Sequence, residues 1–183
     1  MKYFSLLLFL LLGACSSTLP NKEQELSEFI PKDEIKISVE MDFDWKAKNF
    51  PFLCDWTKLE RIVDGDTIIV TGGVRVRFIG IDTPEIKHPD KPIQKFGLEA
   101  SNQMEVFLPK DSKICLLSDS IGDKYDKYDR KLAYIFTEDG LDINAEMLKG
   151  GWARGYFGFP FERKEEFRMY EKYAKEAQLN IWK

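Results

Sequence analysis

Three short runs rich in β-branched residues, 56–63, 67–71 and 74–81, follow one another separated only by Asp64-Gly65-Asp66 and Gly72-Gly73. Asp-Gly and Gly-Gly supply the positive φ angles that tight two-residue turns require. The chain must therefore double back twice, as a three-stranded meander. A helical segment over 93–108 follows, stopped by Pro109, and then strands at 113–117 and 130–137. After the Asp139-Gly140 turn comes a short helix at 143–149, closed by Gly150-Gly151. The last helix, 161–178, sets Phe167, Tyr170, Ala174 and Ala177 on one face at three- and four-residue steps. Five strands and three helices suit an α+β fold in which a small β-barrel carries packed helices. Internal repeats and low-complexity tracts are absent.

About 130 residues suffice for one core and are too few for two ordinary domains. Residues 54–183 are accordingly read as one domain and the remainder of the 183-residue chain as attachment. Residues 1–14 read as a signal peptide: Lys2 precedes an apolar run from Leu6 to Leu12 that is too short to cross a bilayer and ends in small residues. Leu12-Gly13-Ala14-Cys15 resembles a bacterial lipobox, which implies cleavage that leaves Cys15 as a lipidated first residue. Simple secretion with an unmodified Cys15 is the alternative. Ser16 is, by the usual sorting rule of bacteria with two membranes, permissive for outer-membrane delivery. The expected location is extracytoplasmic, on an outer membrane or cell surface. Residues 15–53 have no sustained period and read as a tether, although Phe43, Trp45, Phe50 and Phe52 could dock onto the domain.

With Cys15 assigned to lipid, Cys54 and Cys115 are left as an even pair in an oxidising compartment. Cys54 opens the first predicted strand and Cys115 lies in the fourth, so a disulfide requires those strands to be neighbours. Two buried thiols acting as small hydrophobes are the other reading. Twenty-one basic against twenty-three acidic side chains leave residues 54–183 at a net charge of −2. That balance excludes a basic clamp with broad, salt-sensitive grip on nucleic acid; binding would rest on local arginines, lysines and a bound cation.

Val63-Asp64-Gly65-Asp66-Thr67 and Arg75 through Glu85 crowd four carboxylates and two guanidiniums into one small apolar frame. An Asp pair can hold a hard cation, and Arg offers a planar fork matched to phosphate oxygens. Taken alone, Asp64-Gly65-Asp66 is a hairpin turn, Glu85 a surface carboxylate after Pro84, and Arg77 and Arg130 strand-face salt-bridge partners. The constellation instead suggests phosphodiester chemistry. Asp66 and Asp82, sixteen positions apart, stand at strand ends that a tight meander brings together. Oxygen-only ligation without a Cys or His cluster argues against zinc.

The blocks Val63–Thr67, Arg77–Glu85, Lys87-His88-Pro89, Lys95–Ala100, Asp126–Arg130, Leu132-Ala133-Tyr134 and Leu179–Trp182 resemble, in the same order, those of the staphylococcal-nuclease-like (thermonuclease) domains. The resemblance covers residues 56–183. It implies an OB-fold five-stranded barrel with three helices, a fold whose surface commonly binds oligonucleotides. It further implies a calcium ion on Asp66, Asp82 and the Thr83 carbonyl, with Asp64 acting through water, and Arg77 and Arg130 clamping the phosphoryl group. Glu85 then corresponds to the carboxylate beside the attacking water. Between a metal and two arginines it would stay ionised, which favours positioning the water over strong basicity.

Substrate contacts carried over in the same way are Lys91 in the loop beside the site, Lys127 and Tyr128 toward a terminal phosphate and ring, and Phe157 and Phe159 where the family carries tyrosines flanking the base. Two departures stand out: those phenylalanines lack hydroxyls, and Asp129 replaces the usual Gly before the arginine. His88, the only histidine, reads as a loop residue. The implied activity is calcium-dependent endonucleolytic hydrolysis of DNA and RNA, preferring single-stranded or unwound stretches and leaving 3′-phosphate ends. No protein partner is called for and a monomer is expected. The contrasting class is a catalytically inactive OB-fold module that binds nucleic acid or protein. Retention of Asp66, Arg77, Asp82, Glu85 and Arg130 together separates the two.

Overall fold

The computed structural model describes residues 50–86 and 92–183; Cys15, His88, Lys91 and the leader and tether up to residue 49 lie outside the described residues. Five strands close into a barrel in the order β1 (Asp55–Asp64), β2 (Thr67–Val70), β3 (Val74–Phe78), β6 (Lys131–Thr137) and β5 (Lys113–Leu117). Neighbours pair antiparallel except β3 and β6, which run parallel from Val76↔Lys131 to Phe78↔Ala133. The meander and both later strands thus form as expected. β1 breaks register between Leu59 and Arg61 and again between Ile62 and Asp64. Such bulges sharpen twist and curl a strand, which lets the front of β1 pair with β5 and its rear with β2.

The barrel interior is filled by Leu59, Ile68, Val76, Phe78, Ile114 and Ile135. Three helices pack outside it: α1 (Gly97–Phe107), α2 (Ile143–Lys149) and α3 (Lys164–Glu176), followed by a 3₁₀ turn at Asn180–Trp182. α1 starts four residues later than its sequence pattern predicts, because Phe96 adopts a left-handed φ of 67° and cannot continue a helix backwards. α3 buries Phe167, Tyr170 and Ala174 as expected, but ends at Glu176 and leaves Ala177 exposed as its cap.

The third sequence-predicted strand, 74–81, is in fact two. β3 stops at Phe78, Gly80 turns with φ 74°, and Ile81–Asp82 forms a separate strand β4 that pairs with Arg154–Gly155, β7. Gly80 is required there twice over, since a Cβ would lie 2.8 Å from the rings of Phe161 and Phe167. Buried Asn144 fixes the bend: its Oδ1 accepts from the Ile135 amide (2.9 Å) and its Nδ2 donates to the Ile79 carbonyl (2.9 Å). This break is what carries Asp82 away from the barrel wall and toward Asp66.

Trp56 pairs with Cys115 across β1 and β5, so Cys54 and Cys115 meet, with Cα atoms 5.1 Å apart, and are joined as a disulfide. Of the tether aromatics, Phe50 docks, its ring 5.2 Å from that of Phe136, whereas Phe52 stays exposed. Among the described residues no helix is long and apolar enough to cross a membrane.

The bridge closes a loop of 61 residues and stands at the opposite end of β1 from Asp64. Replacing both cysteines by serine is expected to lower unfolding free energy by about 2–4 kcal/mol, read from denaturant midpoints. Reductant should produce the same loss in the native protein and none in the double variant.

Candidate active site

Asp64, Asp66, Thr67, Arg77, Asp82, Thr83, Glu85, Tyr128 and Arg130 line one cavity of about 270 Å³. The fold delivers them from three places: the β1–β2 turn, the β3–β4 segment and the loop entering β6. Gly65 sits where a Cβ would strike the Thr83 side chain at 2.8 Å, so the Asp-Gly turn can lie directly against β4.

Asp66 is the most engaged group. Its Oδ2 accepts from the Thr83 amide (2.7 Å) and Thr83 Oγ1 (3.0 Å), and its Oδ1 from Thr67 Oγ1 (3.0 Å), with Arg77 Nη1 at 3.1 Å. Arg77 Nη1 also donates to the Ile81 carbonyl (2.8 Å), and its Nη2 to Asp82 Oδ1 (3.0 Å). Among the described residues no acceptor takes the Arg77 Nε proton, so part of the fork remains available to a phosphate. Burial and the Asp66 charge push Asp64 up to about 7, despite the Asp66 amide that donates to it and the charge of Arg77. Burial and Asp66 likewise raise Asp82, against Arg77 and Arg154. The pocket therefore has an excess of acid over the two arginines that line it.

These donors fit a hard cation in kind, because every available ligand is oxygen and the acid excess favours added positive charge. No three Asp, Glu, His or Cys side chains among the described residues converge tightly enough to hold an ion by themselves. Asp66 and Asp82 would need the Thr83 carbonyl, water or substrate oxygens to complete a shell.

Two clamps were not among the sequence-predicted site residues. Gln94 spans the segment after Glu85: its amide donates to the Glu85 carbonyl (2.9 Å) and its Oε1 accepts from the Glu85 amide (3.1 Å). Asp126 folds its own turn by accepting from the amides of Tyr128 (2.9 Å) and Arg130 (3.0 Å), and grips the Arg130 guanidinium through Nε (2.7 Å) and Nη2 (2.6 Å). The i,i+4 spacing of Asp126 and Arg130 was visible in the sequence; the Gln94 bridge has no local signal.

Seven of the sequence-predicted site residues thus meet in the cavity: Asp66, Arg77, Asp82, Thr83, Glu85, Tyr128 and Arg130. Lys127 does not line it, but stands 5.0 Å from the Tyr128 ring, which Arg130 also approaches at 5.4 Å. Phe157 and Phe159 do not line it either. Phe157 folds back over Gly155, whose missing Cβ makes the room, and stacks on Phe161 at 6.3 Å. Phe159 is exposed and pairs with Tyr156 at 5.8 Å.

Residues 75–183 match the family model described as "Staphylococcal nuclease homologue". The chain is 38% identical over 128 residues to a thermonuclease of Staphylococcus intermedius, covering 68% of this chain and 74% of that protein. It is 38% identical over 129 residues to the endonuclease YncB of Bacillus subtilis, covering 68% and 60%, and 33% identical over 136 residues to the endonuclease YhcR of the same organism, covering 68% and 11%. The chain belongs to the staphylococcal nuclease family. It spans only a small part of the longest of these relatives and about three quarters of the thermonuclease.

Family membership gives the Asp129 departure a physical sense. Asp129 has a φ of 60°, the left-handed region where glycine is at ease and Asp is among the few tolerated side chains. The turn is kept and a charge is added beside Arg130.

Burial raises the Asp126 carboxyl, but the Arg130 and Tyr128 amides and the Arg130 guanidinium outweigh it and hold it below the usual range. A depressed native value contributes stability that is complete above the unfolded value of about 3.9 and disappears as pH falls through the native one. Asp126→Asn should therefore unfold at lower denaturant than the native protein at neutral pH, with the gap closing in acid. A gap that persisted unchanged at pH 2 would contradict the clamp.

Proposed function

We propose that this protein is a calcium-dependent endonuclease that hydrolyses phosphodiester bonds of DNA and RNA and leaves 3′-phosphate ends, held at a bacterial membrane by a lipid on Cys15. The observation that carries the reaction is the convergence of Asp66, Arg77, Asp82, Glu85 and Arg130 on one small cavity. Arg77 and Arg130 enter from different elements, and each keeps donors uncommitted, so a phosphate between them is oriented from two directions. Glu85 is tied at its backbone by Gln94 and carries the carboxylate suited to orient a water for in-line attack. Charge building on the phosphoryl oxygens meets guanidiniums already fixed by Asp66, Asp82 and Asp126. A calcium ion on Asp66, Asp82 and the Thr83 carbonyl would supply Lewis-acid stabilisation of the same oxygens. The small cavity favours single-stranded or unwound substrate.

Release of acid-soluble nucleotides from denatured DNA should require calcium and stop with chelator. It should fall by at least about a thousandfold in a Glu85→Gln, Arg130→Ala double variant. No cleavage under any divalent cation by a folded protein would point to a binding module instead.

The Cys54–Cys115 bridge is the kind of cross-link that persists in an oxidising compartment, which supports export. Lipid attachment rests on the leader and Leu12-Gly13-Ala14-Cys15. Membrane fractions should hold the native protein and lose the Cys15→Ser variant to the soluble fraction; an unchanged distribution would sink the anchor.

A further inference from the structure

The β4–β7 ribbon makes Arg154 the direct cross-strand partner of Asp82. Partners in an antiparallel ladder share a face with Cβ atoms about 5 Å apart, so an exposed guanidinium stands beside the cavity without lining it. Asp82 and Glu171 each have another partner. Asp82 accepts from Arg77 (3.0 Å), and Glu171, beside β7, accepts from the Gly155 amide (3.0 Å) and pairs with Lys175 (2.9 Å). Among the described residues Arg154 makes no ion pair with a carboxylate, although its charge acts on Asp82. Its guanidinium is held instead over the Trp182 ring at 5.5 Å, with Lys175 Nζ 4.5 Å from the same ring.

A cation oriented by an aromatic face keeps its full charge and its N–H fork for a ligand, and loses less side-chain freedom on binding one. It stands where help is needed. A polyanionic strand entering the cavity meets four carboxylates against two arginines, on a domain whose net charge is −2.

Resting on the nuclease reading, we infer that Arg154 binds the phosphate next to the scissile one, so that a single strand leaving the cavity at Asp82 runs over Arg154 toward Lys175. Arg154 is then a positioning residue for substrates with more than one internucleotide phosphate, and has nothing to hold in a dinucleotide.

The test reads binding in the full chain carrying Glu85→Gln, where cleavage is stopped, with a labelled 12-nucleotide DNA and a dinucleotide as probes. Adding Arg154→Ala should weaken the 12-mer about three- to tenfold at low salt and lower the slope of log affinity against log salt by about 0.7, one single-strand phosphate contact. The dinucleotide should change less than about twofold. Arg154→Lys keeps the charge and should keep the slope. If Arg154→Ala fails to fold, Arg154→Gln carries the same comparison. Equal weakening of both probes would assign Arg154 to the cavity itself; no weakening of either, or no binding of the 12-mer, would also overturn the subsite. Failure of the native protein to cleave would sink the nuclease reading alone, because this measurement does not depend on turnover.

Discussion

The carboxylate of Asp66 is where barrel and site become one object. Buried at the mouth of β2, it accepts from Thr67, from both donors of Thr83 and from Arg77, which together match the four lone-pair directions a carboxylate offers. Those bonds join β2 to β4 across the Ile79-Gly80 bend and fix Arg77 between Asp66 and Asp82. Removing Asp66 would leave the buried Thr83 donors without their acceptor and take from Arg77 one of its two carboxylates, the costly way to break such a knot. A cation at Asp66 has to share oxygens with these donors, so ion binding and the posture of Arg77 are coupled.

Two other candidate groups, Glu85 and Arg130, are each fastened by a polar residue that does not itself line the cavity. Gln94 holds the Glu85 backbone and Asp126 holds Arg130. Buried Asp119 joins the two loops nearby, accepting from the amides of Ile121, Gly122 and Glu162 and from the Tyr134 hydroxyl. Arg163 binds Glu166 and Asp142 beneath α3, tying that helix to the cap of α2. Loops carry part of the candidate site, and side-chain acceptors replace the backbone ladders that loops lack.

Much of this was legible beforehand. The meander, the strands at 113–117 and 131–137 and the helix at 143–149 follow from turn chemistry and apolar period, which act over a few residues. The disulfide was one of two readings of Cys54 and Cys115, and the pairing of β1 with β5 decided between them. The site residues were readable only as an ordered set of blocks; Asp66 and Arg77 taken singly carry no such message. Phe157 shows the limit of carrying positions over. Its place in the chain suggested a base-flanking ring, yet the Gly155 vacancy and the Phe161 ring draw it inward, and no rule of spacing reports that.

The amino-acid sequence by itself determined the meander, where the later strands and the helices fall along the chain, and which carboxylates and guanidiniums were candidates, because hydrophobic period, glycine turns and charge are properties of neighbouring residues. Only the tertiary structure decided that the third strand breaks at Gly80, that β4 pairs with a β7 invisible to any local pattern, and that Gln94 and Arg154 belong beside the site. Those outcomes depend on contacts between residues far apart in the chain: Asn144 on Ile79, Phe161 on Gly80, Asp82 beside Arg154. Close packing fixes such pairings, and it acts only once the barrel has closed.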